Sequence, residues 1–295
     1  MKSRGFKEYL GLALRGVAMG AADVVPGVSG GTIALITGIY EELIESIKSI
    51  NIESLKLLLT FKVKEFSRAI NGAFLVSVLC GIAISVLSLA RVVTYLLEHE
   101  PILLWSLFFG LILASVVSVV RRVNSWNVVG FISFIVGVGV AYYITIATPA
   151  TTPDGGAFIF LCGAVAICAM ILPGISGSFI LLLMGKYHYI MDAIKSFDIG
   201  VIATFGAGAA VGIVLFSNLL SWLLNRYHDI TIALLAGFML GSLGKVYPWK
   251  ESYLDNGVEM TRNILSTEQL APAIVAMLIG AAFVILIERV SSKHA

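Results

Sequence analysis

The sequence predicts an all-α polytopic membrane protein made of two inverted-topology repeats, each a re-entrant helical hairpin followed by three transmembrane helices. Three observations carry the prediction: the composition, the lengths of chain free of charge, and a Pro-Gly segment that occurs twice. Hydrophobic residues make up 58% of the 295 and charged residues 13%, with a mean hydropathy of +0.96. Soluble domains run at roughly 45–50% apolar and about 25% charged. A soluble fold of this length could not hide so much apolar surface. That excludes a soluble enzyme, a disordered chain and a nucleic-acid-binding domain.

The elements follow in chain order. Apolar arms at 9–22 and 31–47 flank Asp23-Val24-Val25-Pro26-Gly27-Val28-Ser29-Gly30. Each arm is short for a crossing, which needs about 20 residues. Pro and Gly between them end helices. Unwound backbone survives at membrane depth only where protein or a water-filled cavity satisfies it. The region 9–47 therefore reads as a re-entrant hairpin with the Pro-Gly turn at its tip; a kinked single crossing is the alternative. A basic linker, 48–68, comes next, and its Leu55, Leu58, Leu59 and Phe66 suggest an amphipathic helix on the cytoplasmic surface or, equally, a contact for a partner. Charge-free stretches then give spans at about 69–97, 101–121 and 127–148, completing a first repeat over 1–150. The second repeat, 151–295, opens with a hairpin at 156–195 around Pro173-Gly174-Ile175-Ser176. Its spans lie at about 199–225, 229–247 and 269–288.

The two Pro-Gly segments align at an offset of 147 residues. Over 26–47 nine of 22 positions are identical, among them Pro26/Pro173, Gly27/Gly174, Ser29/Ser176, Gly30/Gly177, Gly38/Gly185 and Tyr40/Tyr187. Beyond the linker the halves realign at an offset of 127, with Gly81/Gly208 and Gly110/Gly237 among the matches. A hairpin returns to its own side, so each half makes three net crossings and the second half is inverted. The charges agree. With the N-terminus inside, 14 of the 20 Lys and Arg fall inside, leaving Arg91, Lys186, Lys195, Lys245, Lys250 and Arg262 outside. This is the positive-inside pattern with both termini cytoplasmic.

Inverted repeats with broken helices are the architecture of many secondary transporters, with the site where the breaks converge. Each tip offers backbone N–H groups, hydroxyls and the positive end of a helix, a set suited to an anion and to phosphate especially. The candidate binding residues are Pro26, Gly27, Ser29, Gly30, Gly31 and Thr32 on the first tip. On the second they are Pro173, Gly174, Ser176, Gly177 and Ser178. Arg91, near the end of a long span, either faces a phosphate or snorkels outward. Asp23 is a candidate coupling group or a helix cap, and position 170 in the other half is Met170. Arg15 and Glu41 lie about equally far from the first tip on opposite arms and are candidates for an ion pair. The three cysteines (Cys80, Cys162, Cys168) read as buried thiols. The histidines have no metal-ligand spacing, and no P-loop is completed, so neither metal nor cofactor is expected. Gly-x-Ser-Gly also occurs in intramembrane serine proteases, but here it is doubled and His188 is the only histidine near either hairpin.

On Gly20-Ala21-Ala22-Asp23-Val24-Val25-Pro26-Gly27-Val28-Ser29-Gly30-Gly31-Thr32 and Thr37-Gly38-Ile39-Tyr40-Glu41 the chain resembles the PopT family of prokaryotic polyprenyl-phosphate transporters. Leu172-Pro173-Gly174-Ile175-Ser176-Gly177-Ser178-Phe179 with Gly185-Lys186-Tyr187 is similar to that family's second motif. The resemblance covers nearly the whole chain. It implies a flippase, not an enzyme, that recycles undecaprenyl phosphate or a related carrier lipid across the cytoplasmic membrane for cell-envelope synthesis. Its partners are then the lipid, the bilayer and a coupling ion, proton or sodium, with the oligomeric state open. The expected motion is a rocking of one half against the other. Undecaprenyl-pyrophosphate phosphatases supply an alternative, since they carry a related tip. Gly30 and Gly177 stand where their tip has arginine, which leaves hydrolysis without its cation. A secondary transporter for a small anion is the other alternative.

Overall fold

The computed structural model describes residues 4–25, 28–149, 152–255 and 258–292. The chain opens with α1 (Phe6–Val24), α2 (Gly30–Ile36) and α3 (Tyr40–Lys48). Two short helices, α4 (Ile52–Leu59) and α5 (Val63–Ala69), fill the basic linker where one amphipathic helix was expected. Phe61, at φ 57° between them, turns the chain. Three long helices follow: α6 (Gly72–His99), α7 (Pro101–Val120) and α8 (Val128–Ile146). The order then recurs as α9 (Gly156–Ile171), α10 (Gly177–Leu183), α11 (Tyr187–Lys195), α12 (Ile199–Arg226), α13 (His228–Gly241) with a 3-10 turn (Ser242–Val246), and α14 (Leu270–Ser292). Among the described residues six helices are long and apolar enough to cross a bilayer, and they fall on the six expected spans.

Two features depart from expectation. The second arm of each hairpin is not one helix. It breaks at Gly38 (φ 73°) and again at Gly185 (φ 65°), left-handed positions that favour glycine. The break separates α2 from α3 and α10 from α11. Between the 3-10 turn and α14 stands an antiparallel β-hairpin, β1 (Lys250–Asp255) and β2 (Val258–Asn263), with Lys250 opposite Asn263. Among the cysteines Cys162 is buried, but Cys80 is exposed on an outer face of α6.

Glycine pairs seat the four main helix crossings. Gly16 meets Gly81 where α1 lies on α6, and Gly163 lies against α12 at Phe205 where Gly208 lies against α9 at Phe160. Gly137 faces Gly237 between α8 and α13, while Gly110 and Gly280 each lie against the partner backbone between α7 and α14. A Cβ at any of these would strike a partner carbonyl. Membrane helices lack a strong hydrophobic drive to associate, so close backbone approach through small residues supplies the contact.

The polar contacts gather in separate groups. In one, Arg4 pairs with Glu42 through two bonds of 2.6 and 2.8 Å, and Asn71 joins the same carboxylate at 2.8 Å. Glu45 of α3 bonds Ser221 and Asn225 at the end of α12, and Asp229 caps the chain at Asn124 and Ser125. Apart from these, Lys186 bonds Thr152 O and Asp154, and Trp249 Nε1 donates to Glu268 O. The polar contacts of α3 thus lie toward one end of α12 and those of the α10–α11 junction lie elsewhere, on Thr152 and Asp154.

Candidate functional site

The site is built where the two breaks meet. On the first, α1 stops at Val24 and α2 starts at Gly30; Pro26 and Gly27 lie outside the described residues. Asp23 Oδ1 accepts from Gly30 N at 2.7 Å. Ser29 Oγ accepts from Gly31 N at 3.1 Å. Two orphan N–H groups of α2 are therefore capped by side chains of its own tip. Asp23 is thus a cap in this structure. All seven residues of α2 are buried.

The second tip turns at Gly174 (φ 83°). A Cβ there would lie 2.8 Å from Ser242 Oγ. No side chain caps the start of α10. Ser176 and Ser178 hydrogen-bond to each other at 2.8 Å, with Ser176 buried and Ser178 exposed. Gly177 lies against Ala166 O of α9, 2.6 Å from where its Cβ would be.

Three hydrogen bonds join the tips. Gly174 N donates to Thr32 Oγ1 at 3.0 Å. Ser29 Oγ donates to Met170 O at 3.0 Å. Tyr40 OH donates to Ile171 O at 3.2 Å. Gly31 lies directly against Ile171 O, so only glycine fits there. The structure therefore brings Ser29, Gly31 and Thr32, with Asp23 and Gly30 bonded behind them, against Gly174 and the end of α9, whereas Ser176 and Ser178 bond each other and Gly177 lies against α9. The hydroxyls of Ser29 and Thr32 are engaged across this junction.

Other expected residues stand apart. Arg91 is exposed on α6, with no ion pair or hydrogen bond among the described residues. The Arg15–Glu41 pair is not formed. Glu41 Oε1 instead faces His228 Nε2 at 3.2 Å. Glu42, turned about 100° further round α3, is the carboxylate that faces α1, and Arg4 takes it. Arg15 is half-buried within electrostatic reach of Arg4 and Glu42.

Sequence reasoning missed two groups, Arg122 and a basic cavity, and placed Lys186 at the outer mouth of the second hairpin without a partner. Arg122 donates to Leu35 O at 2.7 Å and Ile36 O at 2.8 Å, capping the C-terminal end of α2. Lys186 is buried and holds the junction of α10 and α11. A cavity of about 480 Å³ opens between α8, α10, the 3-10 turn and the β-hairpin. Phe179, Leu182, Ile146, Lys245, Lys250 and Arg262 are among its lining. The available signal was the charge count, since Lys245, Lys250 and Arg262 are three of the six basic residues that break the positive-inside pattern. No group of three or more His, Cys, Asp and Glu among the described residues could hold a metal ion.

Comparisons with known proteins bear on this arrangement. The family described as undecaprenyl phosphate translocase-like matches residues 19–264. A Vibrio cholerae protein named polyprenyl-phosphate transporter is 48% identical over 245 residues, 83% of this chain and 80% of its own length. A Staphylococcus aureus protein of the same name is 32% identical over 255 residues, 80% of this chain and 85% of its own length. No solved structure matches.

Proposed function

Since the chain belongs to the undecaprenyl phosphate translocase-like family, we propose that its two tips are the seam through which a polyprenyl phosphate headgroup crosses the membrane. The protein is a multi-pass membrane transporter of polyprenyl phosphate. The finer reading is a flippase in the cytoplasmic membrane, with both termini cytoplasmic and the second half inverted on the first. The matched glycines support the inversion.

The observation that carries the mechanism is the junction of the tips. Gly174 N–H donates to Thr32 Oγ1 across it, and Ser29 Oγ donates to Met170 O. Bare phosphate charge is costly in the hydrocarbon layer. When the tips part, these donors lose their partners at the depth where the headgroup loses water. Phosphate oxygens accept what the opposite tip has released, so each state keeps its polar groups paired. The apolar tail stays in lipid throughout. Asp23 supplies a coupling point. A proton on its carboxylate removes the charge that strengthens the bond from Gly30 N–H and loosens the first tip. The chemistry breaks no covalent bond.

The test is reconstitution of the purified protein in vesicles holding labelled polyprenyl phosphate. Leaflet exposure and released phosphate are followed separately. Faster leaflet exchange without phosphate release is expected. Unchanged exchange sinks the flippase, and phosphate released from a polyprenyl pyrophosphate makes the protein a hydrolase. A Ser29→Ala, Ser176→Ala double variant that translocates at full rate removes the tip hydroxyls from the mechanism.

A further inference from the structure

The basic cavity lies outside the junction of the tips, and we propose that it is a reception site for a phosphate monoester, held by Lys245, Lys250 and Arg262. Lys245 Nζ stands 3.8 Å from the centre of the Phe179 ring. Lys250 Nζ stands 3.4 Å from that of Trp105 and donates to Lys245 O at 2.6 Å. Neither lysine has a carboxylate partner among the described residues. Among the described residues Glu251 bonds Arg262.

Desolvated ammonium groups cost free energy, and two facing one cavity repel as well. Burial, and then the charge of Lys245, push Lys250 down to about 7. Ring faces offset part of this, by roughly 0.5–2 kcal/mol each. A snorkelling lysine ends in water; these two are half-buried against aromatic faces. Lys245 and Lys250 have no carboxylate paired with them among the described residues, and a dianion would relieve both the burial and the repulsion.

The shape names the class of anion. A volume of about 480 Å³ falls within the roughly 300–1,000 Å³ usual for small-molecule sites. One wall is apolar, with Phe179, Leu182 and Ile146, and the last two are themselves exposed on the outside of the bundle. A headgroup can enter there with its chain still in lipid. Phe179 and Leu182 belong to α10, so the cavity borders the helix that begins at the second tip. That the ligand is a carrier lipid rests on the transporter reading; that it is a phosphate rests on the cavity.

Binding of farnesyl phosphate, farnesol and inorganic phosphate to the full-length protein in nanodiscs tests the site. Farnesyl phosphate is expected to bind and farnesol not. Lys245→Gln with Lys250→Gln should weaken binding at least about ten-fold, and the paired Arg substitutions should restore it to within about three-fold. Binding unchanged in the Gln pair overturns the proposal. Should that pair fail to fold, acetylation of Lys245 and Lys250 in the unaltered protein decides. Slowing by farnesyl phosphate but not by farnesol supports the site, and no slowing overturns it. Inorganic phosphate binding as tightly as farnesyl phosphate keeps the phosphate site but assigns it to the free ion. Leaflet exchange in the same preparation separates the two claims. Lysine-dependent binding without exchange keeps the site and refutes the transporter reading. Exchange with lysine-independent binding refutes the site alone.

Discussion

Two helices of seven residues, α2 and α10, descend from the same repeated segment and live in different surroundings. Every residue of α2 is buried; of α10 only Gly177 and Leu181 are. Asp23 and Ser29 cap the start of α2, and Arg122 caps its end. No side chain caps the start of α10, and its outer face borders a cation-lined cavity. Identical Gly and Ser positions thus lead into an enclosed helix in one half and a partly exposed one in the other. What differs is the polar residues around the motif: Asp23 against Met170, and Arg122 with no basic match near α10's end except Lys186, which turns to Asp154.

The comparison can be broken most forcefully at Gly31. Gly31→Ala puts a Cβ onto Ile171 O, where only backbone can yield. A loss of about 1–3 kcal/mol in unfolding free energy, with transport abolished, is expected. Gly206→Ala, which meets no atom within 4 Å, should leave both intact. Denaturant unfolding in detergent compares the two. A tolerated Gly31→Ala would mean the first tip is not anchored against α9.

Next in size is Arg122→Gln. It leaves the carbonyls of Leu35 and Ile36 without their charged donor, at a cost of about 1.5–3 kcal/mol. The same unfolding measurement checks it, and an unchanged midpoint would show that α2 needs no clamp.

The less enclosed helix, α10, is probed through its cavity by pH. Lys250 is protonated below about 7 in the free protein and neutral above. The groups facing it are Lys245, Arg262 with its Glu251, and Tyr142 on α8. A phosphate monoester, with a second pKa near 6, is a dianion above pH 7.5. Affinity for farnesyl phosphate should therefore fall above pH 7.5, by at most about ten-fold per pH unit, because binding must take up a proton. A Lys250→Arg protein should give a flat profile. A flat profile in the unaltered protein would remove Lys250 from the site.

The smallest effect concerns Asp23→Asn. The amide oxygen still accepts from Gly30 N–H, so stability should hold within about 0.5 kcal/mol. The side chain can no longer take up a proton, so transport should lose its response to an imposed pH gradient. A response that persists confines Asp23 to capping.

Much of this was legible in the sequence, for reasons that can be named. Spans show because charge is expensive in lipid, so the charge-free stretches and the six long helices coincide. The tips show because Pro-Gly-x-Ser-Gly recurs at a fixed offset. The breaks at Gly38 and Gly185 were readable too, since both are identical positions of the repeat, but long apolar arms masked them. The β-hairpin carries a sequence signal in Asn256-Gly257, a favoured hairpin pair, yet its strands are short and lack a clean alternation. Partner choice was not readable. Whether Glu41 or Glu42 meets α1 depends on the rotation of α3, which sequence spacing from the tip does not fix. Equally, no local pattern says that Trp105 and Lys250, so far apart in the chain, share one wall.

The glycine-seated crossings carry one more consequence. Two of them, α1 with α6 and α9 with α12, stay within a half. The other two, α7 with α14 and α8 with α13, braid helices of opposite halves together. A rocking of one sequence half against the other would have to unzip both braids, carbonyl against glycine along their length. A motion that spares both braids would run between a cross-braced frame of α7, α8, α13 and α14 and the remaining helices, and it would also have to keep or part the contact of α3 with α12, which Glu45 joins through Ser221 and Asn225.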